Sequence, residues 1–160
     1  MYNDKGDIMR VLLQRVAYAS CRVDNQITGK IERGYMLLVG ITHTDDEKIA
    51  DKMADKIYHL RINDDENGKM NLSIDDVHGD ILSISQFTLY ADCVKGRRPG
   101  FEMSADKQKA NDLYDFFNEA LRKRGLRVEE GIFGADMKIE LLNDGPITIM
   151  LDSEVLFNGK

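Results

Sequence analysis

Proline and cysteine are scarce in this 160-residue sequence, at two residues each, and histidine occurs only three times. Cys21 and Cys93 stand far apart in no Cys-x-x-Cys pattern, which indicates neither a disulfide framework nor a zinc site and makes buried or semi-buried free thiols the expectation. His43, His59 and His78 fall at no metal-ligand spacing, so surface or packing roles suit all three and no metal is expected. A Gly-x-Ser-x-Gly elbow, a Gly-rich phosphate loop and a dinucleotide fingerprint are missing as well, which removes the commonest nucleophilic and nucleotide-binding signatures. No apolar run approaches the roughly 20 residues needed to span a bilayer. Met1 to Asp7 lack the basic and apolar regions of a signal peptide, so a cytoplasmic location is expected. Nor is positive charge in excess: a net charge of -6 argues against binding nucleic acid by wholesale phosphate neutralisation, though a local basic patch can still grip one RNA end.

What is present is ordinary for a folded domain. Apolar residues make up 42% of the chain and charged ones 31%, with no linker, repeat or low-complexity tract, and the length suits one domain with a real core. Residues 1–8 are polar and without periodicity and read as a flexible extension of a domain spanning 9–160. Arg10 to Val16 and Ala19 to Val23 read as one long or bent strand, turning through Asp24-Asn25-Gln26 into a hairpin partner, Ile27 to Glu32. Tyr35 to Ile41 is almost unbroken in its apolar character, as in a strand covered on both faces. Ile49, Met53, Ile57 and Leu60 recur at helical spacing behind a cap at Asp45 or Asp46. A second helix, capped by Ser104 or Asp106, carries Ala110, Leu113, Tyr114, Phe117 and Leu121 on one face and ends in Arg122-Lys123-Arg124-Gly125.

A short strand is expected around Arg61-Ile62, then a solvated turn at Asp64 to Gly68; this turn is no calcium loop, because Ile74 stands where the bidentate carboxylate belongs. Strands are also expected over Leu126 to Glu130, Met137 to Leu142 and Ile147 to Leu151, the last two separated by a Gly-Pro turn. The predicted fold class is α+β: a strand-rich domain with a mixed, largely antiparallel sheet or ββα-type sandwich and two main helices on one side.

The stretch with most chemistry begins at Ile81. Ile81 to Tyr90 reads as a central strand, but Ser85, Gln86 and Thr88 place hydrogen-bonding side chains where a purely structural strand would carry Val or Ile. Lys95, Arg97 and Arg98 follow on a loop bent by Gly96 and Pro99, an arrangement that suits a phosphate-bearing ligand and equally describes a solvated turn. Thr88 is the obvious nucleophile, yet no base lies in its own string. From the residues alone two further readings stay open: a noncatalytic nucleic-acid-binding module, and an esterase that depends on Thr88.

Five strings in order narrow these choices. Ser85-Gln86-Phe87-Thr88-Leu89 with Lys95-Gly96-Arg97-Arg98-Pro99, and Asn143-Asp144-Gly145-Pro146-Ile147-Thr148, resemble the two signature motifs of the D-aminoacyl-tRNA deacylases. Gln14-Arg15-Val16, Gly68 to Ser73 and Phe133 to Met137 extend the resemblance from Met9 to about Ser153. It implies hydrolysis of the ester joining a D-amino acid to the terminal adenosine of tRNA, with some activity on glycyl-tRNA and no cofactor, the ribose 2′-hydroxyl taking part in place of a protein base. It assigns catalysis to Ser85, Gln86, Phe87 and Thr88: the backbone amides around Gln86, Phe87 and Thr88 would receive the oxyanion, Ser85 and Thr88 would shape the pocket, and Gln86 and Phe87 would seat the adenosine. Lys95, Arg97 and Arg98 become tRNA contacts. Gly145 and Pro146 become a Gly-cis-Pro motif that reaches into the partner subunit of a homodimer and rejects L side chains. Arg15 would hold the partner's Gly-Pro, the backbone around Phe133 would meet the substrate amino group, and Met137, Asn143 and Thr148 would support the site.

Overall fold

A computed structural model describes residues 9–157; the extension expected at residues 1–8 lies outside the described residues. The organising strand is β1, Arg10–Val23, which pairs along nearly its whole length with β8, Lys138–Asp152. Its other edge is shared by two strands. Residues 10–16 face β3, Gly34–Gly40, and residues 19–23 face β2, Gln26–Ile31, all three pairings being antiparallel. The β1–β2 connection is the expected hairpin, with Asp24 and Asn25 at φ 50° and 65°, the left-handed pair that a two-residue turn demands. β6, Asp80–Ser85, lies parallel to β3, and β7, Val128–Glu130, lies parallel to β6. A small two-stranded hairpin, β4 at Asn63–Asp64 and β5 at Met70–Leu72, stands apart from this mixed sheet.

The sheet curls until β2 nears β7, making the fold almost a barrel. At Gly29 a Cβ would lie 2.7 Å from the Glu130 carbonyl oxygen, so only glycine permits that approach. The curl creates two apolar cores. Tyr35, Leu37 and Val39 of β3 point to one, with Val11, Leu13 and the helices, while Met36 points to the other, with Val16, Ala19, Cys21, Ile31, Leu82 and Ile84. Alternating side chains therefore reach opposite cores, which is why β3 reads as apolar throughout.

The helices are those expected, with one addition. α1, Glu47–His59, is capped by Asp46, whose carboxylate accepts the Ile49 N–H, and α2, Lys107–Lys123, by Asp106, which accepts the Lys109 N–H. Ile49, Met53, Ile57, Leu113, Tyr114, Phe117 and Leu121 bury their stripes in the first core. Full burial of a side chain such as Phe117 stabilises by about 2–3 kcal/mol. α3, Ser153–Phe157, is too short for periodicity to reveal; Ser153 and Met9 tie it to the start of β1, with the Met9 N–H on the Ser153 hydroxyl and the Ser153 N–H on the Met9 carbonyl.

Four expectations are corrected. The strand from Ile81 stops at Ser85, and Phe87–Tyr90 form a 3-10 turn, because the Tyr90 hydroxyl turns back under the sheet to donate to the Gly40 carbonyl (2.9 Å) and accept the Arg10 N–H (3.2 Å). The last two strands are one: β8 runs through Gly145-Pro146, and its register against β1 shifts so that Gln14 faces Thr148 while Val16 faces Asn143, bulging the residues between. The short strand near Arg61-Ile62 sits instead at Asn63–Asp64, where the Asn63 amide donates to the Tyr35 hydroxyl and the Leu72 carbonyl. Cys21 is buried as expected, but Cys93 is exposed on the basic loop.

Candidate active site

Where β3 and β6 end, the sheet opens into a cleft of about 700 Å³. Its floor is Val39, Ile41, Ile84 and Ser85; one wall is the entry to α2 with Phe101, Ser104 and Lys107; the other is Phe133 to Met137. Gln86 and Phe87 form the lip. The α2 entry is docked by the Ala105 N–H on the Ile41 carbonyl at 2.9 Å, and the Thr42 hydroxyl donates to the Met103 carbonyl.

Five of the predicted residues thus meet in one place: Ser85, Gln86, Phe87, Phe133 and Met137. Thr88 is exposed just past the lip, where its hydroxyl accepts from the Gln86 side-chain amide. No carboxylate or imidazole is hydrogen-bonded to Thr88 or Ser85 among the described residues, and the acids of the cleft have other work: Asp136 pairs with Lys138, and Asp106 caps α2.

Backbone geometry is more informative than the side chains. The Gln86 N–H is committed to the Val39 carbonyl at 2.8 Å, the last rung of the sheet. The first bond of the following turn is donated by Leu89, to the Gln86 carbonyl at 3.4 Å. Phe87 and Thr88 lie between these bonds, at the start of a helical turn, where N–H groups have no partner within the turn and are offered to other acceptors. The three amides assigned to an oxyanion therefore reduce to two.

The sequence reading missed Phe101 and Lys107. Phe101 packs edge-to-face on Phe87 with ring centroids 4.9 Å apart, so the exposed Phe87 ring is braced rather than loose. The only sequence signal was position: Phe101 stands two residues beyond the Lys-Gly-Arg-Arg-Pro string. Lys95, Arg97 and Arg98 are exposed on a loop closed by paired bonds between Asp92 and Gly100, at 2.7 and 2.8 Å, and form no ion pair among the described residues. By contrast Arg122 pairs with Glu119 and Glu130, and Arg124 with Asp51 and Asp55, so the basic end of α2 is largely neutralised within the fold.

The remaining predicted residues form a second group. Gly145 and Pro146, joined by a cis peptide, sit in the β8 bulge, which Asn143 staples by accepting the Ile147 N–H and donating to the Thr148 hydroxyl. The Arg15 guanidinium donates to the Asp144 carbonyl of its own chain at 3.1 Å, whereas the expectation had it on a partner's loop. This group is not part of the cleft. Arg15 pairs with Tyr35 and Ser85 with Val39, four residues further along β3, and β8 is three strands from β6. That amounts to about 13 Å along the strands and about 14 Å across them.

Burial pushes the Tyr35 and Tyr114 phenols up to about 12, and Tyr90 above its ordinary range. These tyrosines serve as neutral struts: Tyr90 beneath the turn, and Tyr114 donating to the Ser83 carbonyl behind the cleft.

Comparison with known proteins identifies the family. The family model described as D-Tyr-tRNA(Tyr) deacylase matches residues 12–152. The D-aminoacyl-tRNA deacylase of Bacillus cytotoxicus is 59% identical over 146 residues, covering 91% of this chain and all of the relative. That of Geobacillus sp. strain WCH70 is 54% identical, covering 91% of this chain and 96% of the relative. Among solved structures, the c-Myc DNA unwinding element binding protein superposes with a TM-score of 0.83 at 38% identity, over 89% of this chain and 97% of its own. A probable eukaryotic D-amino acid tRNA deacylase shares the fold, with a TM-score of 0.81 at 21% identity over 91% and 99% of the two chains. With the family model spanning most of the chain and curated relatives matched end to end, this protein belongs to the D-Tyr-tRNA(Tyr) deacylase family and is a hydrolase of the D-aminoacyl-tRNA deacylase class.

Proposed function

We propose that the protein frees tRNA of D-amino acids, and of glycine, by binding the 3′ end in the cleft behind Phe87 and leaving much of the chemistry to the nucleotide. Water attacks the ester carbonyl carbon, the bond to the ribose oxygen breaks, and the neighbouring 2′-hydroxyl relays the proton from the water to the departing oxygen. The Phe87 and Thr88 amides receive the negative charge that builds on the carbonyl oxygen; a single donor of this kind is worth about 3–4 kcal/mol of barrier. Phe87, braced by Phe101, stacks on the terminal base, and Lys95, Arg97 and Arg98 hold the phosphates preceding it. Such a role places the protein in the cytoplasm.

The observation that carries this reading is the pairing of a cleft of about 700 Å³ with two uncommitted amides and no hydrogen-bonded side-chain base among the described residues.

Selectivity follows from the position of the bulge. Gly145 and Pro146 lie outside the cleft of their own chain, so we infer that they act on the cleft of a second copy, in a two-fold homodimer. Main-chain atoms held there would wall off the side chain of an L-amino acid while a D side chain points elsewhere, and glycine, having no side chain, would pass. Purified protein incubated with D-Tyr-tRNA, L-Tyr-tRNA and Gly-tRNA tests the proposal. Hydrolysis of the first and third with sparing of the second is the expected result; equal rates on D and L, or none on either, would refute it.

A further inference from the structure

Arg15 is only 8% exposed, yet it holds together two segments far apart in the chain. Its Nε donates to the Asp144 carbonyl in the β8 bulge, while Nη1 donates to the Ile62 carbonyl at 2.9 Å and to the Asp64 carboxylate at 3.4 Å on the β4–β5 hairpin. The hairpin is itself anchored. Buried Asn63 donates to the Tyr35 hydroxyl at 2.9 Å, and Tyr35 is the β-ladder partner of Arg15. Asp65 closes the hairpin tip by accepting the N–H groups of Asn67 and Lys69.

A second carboxylate competes for the guanidinium. The Asp144 side chain lies 3.9 Å from Nε, whereas Asp64 engages Nη1 on the opposite side. With both present, the charge is shared and Nε remains on the Asp144 main-chain carbonyl. Removing Asp64 would leave the Ile62 carbonyl as the partner of Nη1 and let the Asp144 side chain draw the guanidinium more strongly, loosening its hold on the carbonyl that fixes the bulge.

We propose that Asp64 is a positioning residue for stereochemical selectivity: through Arg15 it holds the Gly145-Pro146 bulge where it discriminates D from L. This rests on the bulge being the selectivity element, and it adds the β4–β5 hairpin as the support. The Asp64 side chain is half exposed, which limits the coupling, so the expected effect is a three- to tenfold loss, about that of one screened charged hydrogen bond.

The test compares Asp64→Asn, Asp64→Glu and Gly145→Ala by the ratio of kcat/KM on D-Tyr-tRNA to that on L-Tyr-tRNA. Asp64→Asn is expected to lower the ratio three- to tenfold by raising L-substrate hydrolysis, and Asp64→Glu to restore at least half of the loss, since it returns the charge. Gly145→Ala is expected to lower it as well, because a Cβ there meets Ile147 Cγ1 at 2.9 Å at a φ of +131°. An unchanged ratio in Asp64→Asn beside a lowered one in Gly145→Ala overturns the role of Asp64 and leaves the selectivity element standing. No rescue by Asp64→Glu also overturns it. A ratio unmoved by Gly145→Ala removes the selectivity element and this inference together.

Discussion

Tyr90→Phe removes a single oxygen from beneath the Phe87–Tyr90 turn. That hydroxyl donates to the Gly40 carbonyl at 2.9 Å and accepts the Arg10 N–H at 3.2 Å, and the phenol is buried to 2% exposure. Phenylalanine keeps the ring that lies against Gly40, so no cavity opens; the cost arises from two main-chain groups left without this partner. At about 1–1.5 kcal/mol each after partial relaxation, the loss is about 2–3 kcal/mol. A domain of this size loses about 2–4 °C of Tm per kcal/mol, giving a drop of about 4–12 °C. Because the same oxygen ends the strand and starts the turn bearing Phe87 and Thr88, deacylation should fall along with stability even well below the new Tm. Calorimetry and a deacylation assay on one preparation measure both. A Tm within about 2 °C of the parent, or full activity despite the loss of stability, would show that the hydroxyl does not organise the turn.

Thr88→Ala should retain a substantial part of kcat, whereas substrate lacking the terminal 2′-hydroxyl should be cleaved at least 100-fold more slowly; the reverse outcome would make Thr88 the nucleophile. Replacing Lys95, Arg97 and Arg98 together by Ala should raise KM for D-Tyr-tRNA and Gly-tRNA alike and flatten the dependence of KM on salt, with kcat little changed. The fold keeps Tyr35 and Tyr114 neutral up to about 12 while the unfolded chain gives up those protons near pH 10, so their contribution is complete below pH 10 and disappears as the pH rises toward 12. Each contributes about 1.4 kcal/mol per pH unit in that window, and tyrosinate absorbance should therefore rise in step with loss of far-ultraviolet circular dichroism.

Much of the fold could be read directly from side-chain pattern. Asp24-Asn25 announced the hairpin, and Asp46 and Asp106 capped the helices whose stripes were visible at period 3.6. β3 betrayed its double coverage because both of its faces are apolar. The misreadings share a cause, namely main-chain events without a compositional mark. Phe87-Thr88-Leu89-Tyr90 has the composition of a strand, and only the distant contacts of Tyr90 with Gly40 and Arg10 bend it into a turn. The β8 bulge looked like a hairpin turn because Gly-Pro serves both, and only pairing with β1 on either side distinguishes them. In the cleft, motif wording located Ser85, Gln86 and Phe87, but Phe101 and Lys107 reach it through the docking of α2, which no local pattern records.

Selectivity supplied by one chain to the cleft of another is the central claim, and mixing two variants tests it most directly. Gly145→Ala is expected to keep its own cleft and lose discrimination; a chain with Gln86 and Phe87 both replaced by Ala is expected to keep its bulge but to lose its hold on the terminal adenosine and so contribute little hydrolysis. Adding a tenfold excess of the second to the first, with time for subunits to exchange, should place nearly every working cleft opposite an intact bulge. L-Tyr-tRNA hydrolysis is then predicted to fall severalfold while D-Tyr-tRNA hydrolysis continues. An L-Tyr-tRNA rate unaffected by the added chain, under conditions where mixed dimers are shown to form, would contradict the account.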